Sequence, residues 1–174
     1  MEIIYINSFN KEVTASQEVG LEYYEKVFKE NGVTKKIEFY DNHVLSHINH
    51  YLESGENETE IVSLLTPLLE QNVKTVSIIE REAFSSYTIE REREYRDTVL
   101  TFKNRYLFSE HGREICNERI NINTNLPIYE QTIKQYFGGA AYDESYEELY
   151  GGDPIFTASY NADGSLDYIV FEDP

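Results

Sequence analysis

Apolar and polar positions recur at two different periods along this chain, and the period predicts the element. Between Ser16 and Asn31 the apolar residues Val19, Tyr23 and Val27, with Tyr24 and Phe28, oppose Glu18, Glu22, Glu25 and Lys29. That spacing predicts an amphipathic helix. Thr14 and Ser16 offer N-caps, Gln17 completes a Thr-x-x-Gln capping box, and Gly32 stands where the helix would stop. A second helix is predicted from Thr59, where Ile61, Leu64, Leu65, Leu68 and Leu69 recur at helical spacing and Pro67 kinks or splits the run. Pro127 suits the first turn of a third helix ending at Gly138-Gly139. The stretch Tyr142 to Tyr150, if helical, makes a fourth.

The strand period covers most of the remainder. Glu2 to Ile6 is a short apolar run of edge-strand type, and the Asp41-Asn42-His43 cluster divides Lys35–Tyr40 from Val44–Leu52 as a hairpin. Val73 to Ile122 reads as a meander of at least four antiparallel strands. Within it Tyr87–Tyr95 alternates strictly, with Glu90, Glu92 and Glu94 on one face and Ile89, Arg91, Arg93 and Tyr95 on the other. A last hairpin, Ile155–Tyr160 and Leu166–Phe171, turns at Asn161-Ala162-Asp163-Gly164. An aromatic residue, a polar turn and a returning strand recur at Tyr40–Leu45, Phe108–Gly112 and Tyr160–Leu166, at spacings too irregular for a solenoid. The expected architecture is α+β: a single domain over residues 1–174, largely antiparallel sheet built from hairpins and a meander, with three to four helices.

Composition adds a partner class. The net charge of −17 over 174 residues disfavours polyanions and acidic membrane surfaces, while 40% hydrophobic and 14% aromatic residues exceed what a solvated tail carries. The charge is concentrated. From Gly138 to Pro174 there are nine acids and no Lys or Arg, so 9 of the 17 net charges lie in that stretch. A single cysteine leaves no disulfide framework, the first residues lack the basic start and apolar run of a secretory signal, and no apolar run approaches the roughly 20 residues of a membrane helix. The expected location is the cytosol.

Candidate chemistry is sparse. His43, His47 and His50 lie on one predicted strand, where His43 and His47 share a face about 13 Å apart and His50 points the other way, so the three do not converge on a metal. Cys116 sits in a strongly negative chain that disfavours a thiolate, and reads as structural. There is no Gly-x-Ser-x-Gly elbow and no phosphate-cradling loop ending in Lys-Ser/Thr. No catalytic residue, cofactor or metal is assigned, and the chain reads as a binding protein rather than an enzyme.

The binding residues are expected in the acidic tyrosine segment. On a helix Tyr142, Tyr146 and Tyr150 stack at i, i+4 and i+8, flanked by the rows Asp143/Glu147 and Glu144/Glu148, with Asp153 at the rim. The Glu90/Glu92/Glu94 row is a second acidic candidate, tempered by Arg91 and Arg93 beside it. The acidic Tyr142–Tyr150 segment and hairpins such as Tyr160-Asn161-Ala162-Asp163-Gly164-Ser165-Leu166 resemble the immunity proteins of bacterial contact-dependent or polymorphic toxin systems. What the resemblance implies is a cognate basic toxin, often a nuclease domain, blocked without direct contact to nucleic acid. Two other classes stay open: a nucleic-acid mimic inhibiting a DNA-binding enzyme, with carboxylates at phosphate-like spacing, and a small ligand-binding or enzymatic domain with a deep pocket.

Overall fold

A computed structural model of the chain describes residues 1–110, 112–136 and 156–171. Their elements are β1 (Glu2–Asn7), β2 (Glu12–Val13), α1 (Ala15–Glu18), β3 (Tyr23–Glu30), β4 (Val33–Asp41), β5 (Val44–Tyr51), α2 (Glu58–Leu65, running into a 3-10 turn at Thr66–Leu68), β6 (Thr75–Ala83), β7 (Tyr87–Arg96), β8 (Val99–Ser109), β9 (Glu114–Ile120), β10 (Pro127–Tyr136), β11 (Phe156–Tyr160) and β12 (Leu166–Phe171). The hydrogen-bonded strand order is β12-β11-β10-β9-β8-β7-β6-β5-β4-β3-β1-β2.

This corrects the expected α+β class with three to four helices. The described chain is mostly strand, with one helix of 8 residues extended by a 3-residue 3-10 turn and a single helical turn of 4 residues. The predicted helix Ser16–Asn31 is instead the strand β3 after the one-turn α1. Its capping box is real, the Thr14 backbone N–H donating to Gln17 Oε1 at 2.9 Å, but Gly20 follows before a second turn forms. Gly32 is not a helix stop. Asn31 and Gly32, at φ 52° and 77°, form the left-handed pair that a tight two-residue hairpin needs, and β3 pairs antiparallel with β4 across them. The helix predicted from Pro127 is strand β10, where proline occupies the first position and the ladder loses no interior donor.

Other expectations match. β4 and β5 form the hairpin at Asn42-His43, the Val73–Ile122 region supplies β6 to β9, β11 and β12 pair antiparallel around Asp163-Gly164, and Pro67 sits where α2 tightens into its 3-10 turn. One junction departs from the antiparallel rule: β5 and β6 pair in parallel, with His47 opposite Thr75 and Tyr51 opposite Ile79, because α2 carries the chain back before β6 begins.

Backbone contacts divide the chain into two compact units, residues 1–81 with 92–102, and 82–91 with 103–174. In the first, Leu45 and Ile48 of β5 and Val76 and Ile78 of β6 bury against Val62, Leu65 and Leu69, with Tyr40 and Tyr95 packed at the margin. Asn57 caps α2 by accepting from the N–H groups of Thr59 and Glu60 at 3.0 and 3.2 Å. Glu58, in its first turn, takes Arg93 Nε at 2.7 Å and the Tyr95 hydroxyl, which fastens the helix to β7. In the second unit β9 to β12 form an antiparallel ladder in which Ala158 and Thr132 are buried. Gly164, at φ +83°, closes the last hairpin over the Tyr129 ring.

Candidate functional site

The residues on which the sequence places partner binding, Tyr142, Asp143, Glu144, Tyr146, Glu147, Glu148, Tyr150 and Asp153, lie outside the described residues. The second acidic candidate lies within them, and much of its charge is engaged at home. Glu92 accepts from Ser77 Oγ at 2.8 Å, and Glu94 accepts from Arg96 Nε at 3.0 Å and from Thr101. On the other face Arg91 and Arg93 reach across to Glu82 and Glu80 at 2.9 and 3.3 Å. The arginines therefore pair locally, as the alternation suggested, but with acids of β6 and α2, while Glu92 and Glu94 of the row keep their own partners in the fold.

The histidines are dispersed. His43 lies 3.8 Å from Glu18, His47 bonds Asn49 at 2.6 Å and meets Phe39 edge-on, and His50 bonds Glu56 at 2.9 Å. Burial lowers the pKa of His47. Among the described residues no three His, Cys, Asp or Glu side chains gather in a way that could hold a metal ion. Burial, with Glu118 adding to it, raises the Cys116 thiol, which disfavours the thiolate.

A feature unforeseen in the sequence lies on the first unit, at the end of β3 and β4 nearest the Asn42-His43 turn. A cleft of about 250 Å³ is lined by Asn7, Ser8, Tyr23, Glu25, Phe39, Asp41 and Ser46, together with Tyr24 and Tyr40. The β3–β4 register pairs Tyr23 with Asp41 and Glu25 with Phe39, so strand alternation sets these four on one face as two rings and two carboxylates. Ser46 is the extra residue where the β4–β5 register shifts, and its hydroxyl donates to the Phe39 carbonyl at 2.9 Å, holding the bulge. Burial raises the Glu25 carboxyl above its ordinary value.

The opposite face of the same strands carries a packed layer. Tyr24 and Tyr40 stack with centroids 4.7 Å apart and planes 3° from parallel. Lys26 Nζ sits 4.4 Å over the Tyr40 ring, and its cross-strand partner is Glu38. Glu38 accepts from the Tyr40 hydroxyl at 2.9 Å and from Lys36 at 2.7 Å, while Glu18 takes the Tyr24 hydroxyl. Burial and these carboxylates push both phenols well above the ordinary tyrosine range. The cleft thus has a rigid back. Reading Glu25 on the polar side of a helix hid it; the alternation Tyr23-x-Glu25-x-Val27 was the available signal.

No protein-family model matches the chain, and neither a curated protein nor a solved structure matches it at a significant level.

Proposed function

We propose that the chain is a cytosolic immunity-type protein, antitoxin-like, that binds and blocks a basic partner protein such as a nuclease toxin through acidic, tyrosine-bearing surface. The observation that carries this reading is the run of nine acids without a single Lys or Arg from Gly138 to Pro174. Opposite charge steers encounter and tyrosines anchor protein interfaces, so such a segment suits a cationic protein groove better than any polyanion. Its internal contrast is the Glu90/Glu92/Glu94 strand, where arginines sit between the acids.

The test mixes purified protein with the product of the neighbouring reading frame and follows binding through a salt series. Wild type is expected to form a complex whose association slows with salt, and the combined Glu144→Lys, Glu147→Lys and Glu148→Lys variant to bind about 10- to 100-fold more weakly. A complex indifferent to this reversal contradicts the reading.

A further inference from the structure

We propose that the cleft at Tyr23, Glu25, Phe39 and Asp41 is a socket for a guanidinium group, such as an arginine side chain of the basic partner, with Glu25 as its counter-ion and the two rings as its walls. The socket deepens the proposed function and rests on it only for the source of the arginine. The same two strands already show the chemistry complete on their other face, where the Lys36 ammonium lies 4.1 Å over the Phe28 ring and 2.7 Å from the Glu38 carboxylate. On the cleft face the ring and carboxylate components repeat, paired across the same register. The described residues that line the cleft include no Lys, Arg or His; His47 meets the Phe39 wall edge-on, and burial disfavours its charged form. The Asp41 carboxylate accepts from the Asn42 side-chain amide at 2.7 Å.

A guanidinium suits this setting better than an ammonium. It is weakly hydrated, stacks on ring faces and presents a fork of donors that matches a carboxylate. Burial disfavours the Glu25 carboxylate, and a bound cation offsets that cost. The Ser46 bulge and the stacked tyrosines behind hold the walls in place, so little ordering is lost on binding.

Backbone NMR shifts of the full chain during titration with Nα-acetyl-arginine methylamide test this without any partner protein. Amides of Tyr23 to Lys26 and Phe39 to Asp41 are expected to move together and saturably, the citrulline analogue to move none, and Glu25→Gln to weaken the effect about tenfold or more. Glu25→Gln keeps the side chain's shape, so a dispersed spectrum shows that the fold survives. Absence of shifts in wild type, or equal shifts in wild type and Glu25→Gln, overturns the socket. Either result leaves the charge-reversal experiment on Glu144, Glu147 and Glu148 to judge partner binding separately.

Discussion

Glu25 and three tyrosines make the most exposed commitments at the scale of single residues. A carboxyl raised by burial binds more protons in the native state than in the unfolded one, so stability falls as pH rises from about 4.5 through the native value. Glu25→Gln removes that loss. Thermal melts at neutral pH are expected to give the variant a Tm equal to or above wild type, with the gap closing toward pH 4; a clear destabilisation at pH 7 would show that Glu25 has a partner in the fold. Tyr24, Tyr40 and Tyr95 behave alike at the alkaline end. Their phenols are raised, that of Tyr95 to about 12, by burial and by bonds to Glu18, Glu38 and Glu58, so the native protein holds these protons after unfolded tyrosine ionises at 10.0. Stability is present below pH 10 and drains away above it. Absorbance titration at 295 nm should show a late phenolate step that coincides with loss of the native circular-dichroism signal.

Elements explain why part of the fold was legible and part was not. Asp163-Gly164 and Asn42-His43 announced hairpins because turn chemistry is local. The helix α2 was nearly as plain, since Ile61, Leu64 and Leu65 recur at helical spacing, although its start at Glu58 and its Asn57 cap came only with the structure. β3 was not, because Tyr24, Val27 and Phe28 fit helical spacing, whereas on the strand Val27 faces away from Tyr24 and Phe28 and apolar side chains are buried on both faces; the Asn31-Gly32 turn and the Ile3–Phe28 and Val27–Ile37 cross-strand pairs settle it as strand. The parallel β5–β6 pair was invisible for another reason: strand direction is a tertiary choice that no local pattern encodes. Two substitutions check the energetic roles assigned here. Asn57→Ala leaves the Thr59 and Glu60 amides uncapped and should cost about 1 kcal/mol in urea unfolding. Ile48→Ala, at a fully buried site beneath α2, should cost about 2–5 kcal/mol.

Charge organises the molecule as a whole. Where acids and bases alternate along β7, arginines answer acids from β6 and α2, and the structure consumes the charge it displays. From Gly138 onward the sequence supplies only acids. That difference was readable in the sequence and is the ground for the proposal of partner binding, whereas the cleft became visible only once β3 was seen as a strand.

The most direct measurement is the association rate of the chain with the purified product of its neighbouring reading frame across ionic strength, wild type against the Glu144, Glu147 and Glu148 reversal to lysine. A fast association that slows steeply with salt in wild type and is largely lost in the variant is the predicted result. Association that is absent, or that proceeds at the same rate in both proteins at every salt concentration, contradicts the account.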